Sequence, residues 1–201
     1  MPSTSAPDNE PKYQWLDQWV RRYLDGAVTL SLTGINSPER FLELVGAAQP
    51  FRHDLRGVPA LADESTPDAV LVGATPAPGK EGWVLGAESP ADVGYDNAAG
   101  LSIPGTMAVA FSCNMNGAWF TWAERGENLV AFSLTEGVAL SGSNPQRLAE
   151  IMDQAGLDPG NTAHPCATAA ALLEAITGVA ITRQMLAEGE FTSGTVKFPY
   201  W

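Results

Sequence analysis

Apolar and polar positions follow periods that change from one segment to the next. Trp15, Leu16, Trp19, Val20, Tyr23 and Leu24 recur at i, i+1, i+4, i+5, i+8 and i+9, the spacing of one helical face. This predicts a helix from Lys12 that Gly26 stops. Residues 28–33 set Val28, Leu30 and Leu32 against Thr29, Ser31 and Thr33, a strand with one dry face. Asn36-Ser37-Pro38-Glu39 places a capping residue before a first-turn proline. It opens a helix whose buried stripe is Phe41, Leu42, Leu44, Val45 and Ala48, ending near Gln49-Pro50.

The pattern then lapses. Residues 50–68 have no period and carry three prolines, which predicts a long loop with at most one helical turn. Short strands are expected over 70–74 and 83–88, joined by a Pro/Gly-rich stretch, and residues 89–105 read as a second irregular segment. Alternation returns strongly at Met107, Val109 and Phe111, then over 118–124 and 129–134. Turn residues at 114–117 and 125–128 join these into an antiparallel meander. The rest reads as helical. Asn144-Pro145 opens a helix with Leu148, Ile151, Met152 and Ala155 on one face, closed by Gly156. Residues 167–177 form an Ala/Leu-rich helix ended by Gly178, and Thr182 caps a short one through Ala187. The tail from Gly189 ends in the apolar Phe198-Pro199-Tyr200-Trp201, which is expected to dock on this domain or on a partner.

Strands and helices come in runs, so the expected fold class is α+β, an antiparallel meander sheet with helices packed on one face. Residues 1–11 are polar and proline-containing, a disordered leader, and 12–201 form a single α+β domain. At 201 residues, 45% of them hydrophobic, the chain can bury a core without disulfide or metal.

Charge narrows the partners. The chain has 11 basic and 23 acidic residues, a net charge of −12, a field that repels phosphate backbones and anionic lipid. Neither nucleic acid nor membrane is expected as a partner, whereas a basic protein is compatible. The start has no basic-then-apolar signal pattern and no segment approaches a membrane span, so a cytoplasmic setting is expected, with Cys113 and Cys166 reduced.

Known motifs fail on inspection. Residues 73–80 superficially resemble a phosphate loop, but five residues separate the glycines, Glu81 follows the lysine, and two prolines remove N–H donors. His53-Asp54 lacks the further histidines that a metal-dependent phosphohydrolase needs, since only His164 remains. Two histidines and no Cys-x-x-Cys pair predict neither a metal site nor a cofactor. His164-Pro165-Cys166 sets an imidazole near a thiol at a helix start, and reads as structural. No nucleophile elbow or dinucleotide fingerprint is present.

Several stretches, in order, are familiar: Gly82-Trp83-Val84 through Glu88, Leu101-Ser102, Gly105-Thr106, Asn114-Met115-Asn116, Phe120-Thr121-Trp122-Ala123-Glu124 and Gly126. Gly142-Ser143-Asn144-Pro145, Thr177-Gly178-Val179 and Ile181-Thr182 continue the series. Together they resemble an uncharacterised actinobacterial, Streptomyces-like family of unknown function, over about residues 15–186. Ala87-Glu88-Ser89-Pro90 departs from that family's acidic-then-glycine continuation. The resemblance implies no activity and no catalytic residues.

Two expectations follow for function. The first is a non-catalytic binding or regulatory module for a protein partner, in its sharper form an immunity-like neutraliser of a basic partner. Trp83, Trp119 and Trp122 would be its anchors on an exposed sheet face. The second is a small-molecule binder or enzyme with a site between the 89–105 loop and the sheet. Glu88, Asp92, Asp96, Asn114 and Asn116 would then converge on a pocket. Asn114 and Asn116 also suit a hairpin turn.

Overall fold

The computed structural model describes residues 12–66, 68–103, 105–135, 141–155, 157 and 163–197. The leader and the apolar Phe198-Pro199-Tyr200-Trp201 therefore lie outside the described residues. In chain order the elements are α1 (Gln14–Tyr23), β1 (Val28–Thr33), α2 (Pro38–Leu44), β2 (Ala48–Arg56), α3 (Gly57–Glu64), β3 (Ala69–Pro76) and β4 (Val84–Glu88). Next come α4 (Val93–Asp96), α5 (Ala98–Leu101), β5 (Met107–Asn114), β6 (Gly117–Glu124), β7 (Glu127–Ser133) and α6 (Gln146–Ala155). The chain closes with α7 (Pro165–Thr177), α8 (Arg183–Glu188) and β8 (Glu190–Lys197).

The eight strands form one antiparallel sheet in the order β2-β8-β3-β4-β1-β5-β6-β7, and the fold is α+β. The meander β5-β6-β7 stands where the alternation places it. The strand β1 is central, between β4 and β5, and all six of its residues are buried. Its apolar side, Val28, Leu30 and Leu32, joins the larger core with α1, α3, α6, α7 and α8. Its polar side is buried as well. There Thr33 Oγ1 donates to Leu101 O at 3.1 Å and Thr29 Oγ1 to Ala91 O at 2.6 Å. Buried hydroxyls need such partners, and the 89–105 segment supplies them from the loop before α4 and from α5.

Helices therefore cover both faces, where the sequence predicts one. The second layer is α2, α4 and α5, over a smaller core that includes Phe41, Leu42, Val72, Val84 and Leu101. Gly86 makes room for it, because a Cβ there would stand 2.1 Å from Phe41 Cζ. Caps set these helices as their residues suggest. Ser37 Oγ accepts the Arg40 N–H at 3.1 Å, Thr182 Oγ1 accepts that of Met185 at 3.2 Å, and Gly178 ends α7 at φ +74°.

Several segments differ from the reading of the sequence, among them 89–105, which carries α4 and α5. Residues 50–68 are no long loop, since they carry most of β2 and all of α3. The tail, expected to dock, does so on its own domain through Lys197, but as a strand, β8, which inserts between β2 and β3.

Candidate functional site

The start of β1 and the ends of β4 and β5 meet at one end of the sheet. The register sets Thr29 opposite Glu88 on β4 and opposite Ser112 on β5, so these three side chains share a face. Asp92, just before α4, crosses above them. Its Oδ1 accepts the Thr29 hydroxyl at 3.2 Å and the Ser112 hydroxyl. The same Thr29 hydroxyl is shared with Ala91 O, which fixes the loop onto the sheet.

Glu88 lies beneath, 1% exposed. Its carboxyl group accepts the N–H groups of Val93 at 3.0 Å and Gly94 at 2.6 Å, capping the first turn of α4. Burial pushes its pKa up to about 8. The two N–H bonds pull it down, and the Asp92 and Asp96 carboxylates push it up again. Glu88 is thus a largely protonated, structural group at neutral pH, sealed from the surface.

Outside the buried Glu88 the sheet end opens into a cleft of about 640 Å3. Tyr23, Asp25, Asp63, Asp92, Asn114 and Met115 line it, from the end of α1, the end of α3, the 89–92 loop and the β5–β6 tip. No lysine, arginine or histidine stands among the described lining residues. Two apolar side chains reach out at it, Tyr23 at 50% and Met115 at 88% exposure. Asn116 joins the lining from the same tip, where Asn114 Oδ1 accepts its N–H at 2.8 Å. The two asparagines therefore build the turn and face the cleft together.

The sequence-derived site residues divide. Asp92, Asn114 and Asn116 come together at the cleft, while Glu88 is buried behind it and Asp96 is an exposed residue outside the lining. The tryptophans do not gather there. Trp83 is half-buried before β4, with Lys80 Nζ 3.8 Å above its ring. Trp119 is half-buried opposite Ser112 on β6. Trp122 is 1% exposed in the core, under the Arg147 guanidinium at 4.3 Å, so it presents no surface to a partner. Asp25, Asp63, Tyr23 and Met115 converge on the cleft only through the fold, from segments far apart in the chain. Asp25-Gly26 did carry a local signal, a turn with Asp25 at φ +49°.

On the other side of the β5–β6 tip a second cleft, of about 710 Å3, is lined by Asp17, Arg21, Cys113 and Cys166 among others. Asp17 is 5% exposed and holds the start of α7, accepting the N–H groups of Cys166 and Ala167, each at 3.1 Å. His164 Nδ1 lies 4.0 Å from Asp17 Oδ2. No three His, Cys, Asp or Glu residues among those described are arranged to hold a metal ion. His53, on β2, instead has Nδ1 3.1 Å from Thr192 Oγ1.

Compared with known protein families, the chain matches one described as a family of unknown function (DUF6461) over residues 5–199. It belongs to that family. No curated protein and no solved structure matches the chain. The DUF6461 match spans both clefts and every strand, so the sheet-end site is part of the family's domain and not an appendage to it. No helix among the described residues of this DUF6461 protein is long and apolar enough to cross a membrane.

Proposed function

We propose that this domain is a non-catalytic binding module that seats a lysine- or arginine-bearing segment of a protein partner in the sheet-end cleft. The observation that carries the reading is the lining: Asp25, Asp63 and Asp92, with no lysine, arginine or histidine among the described residues that line the same cleft. Such a concave surface with low-dielectric walls focuses a negative field, and the net charge of −12 adds long-range steering of a basic partner. Tyr23 and Met115 on the rim provide the apolar contact that charge alone does not, since desolvated apolar and aromatic anchors dominate interface energies. Neutralisation of a basic partner, in the manner of an immunity protein, is the sharper form. The cytoplasm of an actinobacterial, Streptomyces-like cell is the setting that the residue resemblance and the Ala/Gly/Pro-rich composition support.

The test is affinity capture from native lysate with wild type and with Asp25→Asn/Asp63→Asn, both exposed positions. The expected result is a basic protein retained by wild type and lost with the variant. Partners captured equally by both would contradict the reading.

A second reading is favoured by the cleft's size. About 640 Å3 falls among small-ligand pockets, which span roughly 300–1,000 Å3, and Asp92, Asn114 and Asn116 supply convergent polar groups. A small cationic metabolite is the ligand this lining suits. A saturable thermal shift with such a ligand, lost in the same variant, would favour this reading over a protein partner.

A further inference from the structure

Strand β8 ends at the rim of the sheet-end cleft. It pairs with β3 in a register that sets Val196 opposite Val70 and Lys197 opposite Ala69. Val70 also lines the cleft, as do Ser65 and Thr66 in the turn before β3. The next residues of the chain, Phe198-Pro199-Tyr200-Trp201, therefore start beside it.

Alternation along β8 sets the side on which they start. Phe191 belongs to the larger core, whereas Val196 packs against the smaller one. A Cβ on Gly194 would meet Ala47 at 2.9 Å and Phe51 at 3.0 Å, so even-numbered positions face the smaller core. Next to Val70 that core is incompletely covered, since Ala91 and Val196 are only partly buried.

We propose that the cleft is the docking site of this chain's own residues 198–201. Phe198 lies beside Val70 and Val196, and the rings of Tyr200 and Trp201 cross the sheet end onto Ala91 and Val28. Thr66 takes both backbone groups of Ala69, and Pro199 has no N–H, so the ladder stops there and the segment turns across the strand ends. Four residues span at most about 14 Å, and neighbouring strands lie about 4.8 Å apart. Three strand steps, from β8 over β3 and β4 to β1, use that whole length. Val28 at the start of β1 is thus within reach, and Met115 beyond β5 is not.

The chemistry of the two sides agrees. The segment carries three aromatic rings and no charged side chain, and Val28, Ala62, Val70, Pro90 and Ala91 give the cleft its apolar surface. Aromatic rings gain most from such burial. Tethering selects the chain's own segment over that of a second copy, because a short tether holds it at an effective concentration on the order of millimolar. The proposal does not rest on the reading of a basic partner, since every contact is made within one chain.

The experiment is NMR on the full-length protein, observing the rings of Phe198, Tyr200 and Trp201 against isotope-labelled alanine and valine methyl groups. The expected result is nuclear Overhauser contacts from Tyr200 or Trp201 to the methyls of Ala91 and Val28, unchanged on dilution. A variant ending at Lys197 should lose the ring-current displacement of those two methyl signals. Ring contacts that are absent, or confined to β3 and β8, would overturn the proposal. Contacts seen only between differently labelled molecules in a mixed sample would do the same, naming a second copy as the occupant. The wild-type contacts decide the matter even if the shortened variant does not fold. No partner is in the sample, so failure here is distinct from failure to capture a basic protein.

Discussion

Glu88 accepts the backbone N–H of Gly94 at 2.6 Å, so a carboxyl group at the end of β4 caps α4 from inside the sheet. An acid whose folded pKa of about 8 lies above its ordinary 4.5 binds its proton more tightly folded than unfolded. The extra proton in the folded state stabilises it fully below about pH 4.5, and that contribution is lost as pH rises toward 8. Glu88→Gln removes the titration but also turns an amide N–H2 toward one backbone donor, costing about 1 kcal/mol. Urea denaturation across pH 5–9 should therefore show the variant less stable than wild type at the acid end and the difference shrinking or reversing above pH 8. A constant offset over the whole range would contradict this role of Glu88.

Asp17 and Cys166 are tied by a bond of 3.1 Å that closes the start of α7 with a carboxylate from α1. A second bond to the Ala167 N–H, also 3.1 Å, uses the other oxygen. Asp17→Ala strands two buried donors at a helix N-terminus and should cost about 2–3 kcal/mol, while Asp17→Asn, with one acceptor left, should cost about half as much. Denaturant midpoints at unchanged m-value are the readout.

Gly86 is required by the ring of Phe41. The Cβ of Gly86→Ala would sit 2.1 Å from Cζ and 2.7 Å from both Cε atoms, so the variant should lose about 1–3 kcal/mol by overpacking. Adding Phe41→Leu should recover part of that loss, giving a non-additive double-mutant cycle. Additive losses would mean that the two residues do not press on each other.

Local chemistry made much of this fold legible. The strand β1, the Ser37 cap and the Gly178 stop are set by near neighbours in the chain, and the structure keeps them, although β1 is buried on both faces rather than on the one that its alternation suggests. The strands β2 and β8 were not legible because their burial is decided elsewhere. In β2 only Leu55 is buried, the pairing with β8 is bulged, and Pro50 breaks the pattern. In β8 the small residues Ser193 and Gly194 are buried only because β2 and β3 flank them. The site shows the same division. Asp92 and Asn116 stand in loops and Asn114 at the last position of β5, where local composition marks them, whereas Asp25 and Asp63 reach the cleft only through the ends of α1 and α3. Trp122 looks like an anchor by residue type, but alternation along β6 does not say which of the two covered faces a side chain enters.

The most direct test of the acidic cleft as a partner site is zero-length carbodiimide coupling in native lysate, which joins a carboxylate to an amine only where the two are in contact. The adduct is then mapped by mass spectrometry. The account predicts amide links from Asp25 or Asp63 to lysines of one basic protein, formed at low salt and suppressed at high salt. Links confined to carboxylates away from the cleft, or none at any salt concentration while other complexes in the lysate are coupled, would contradict it.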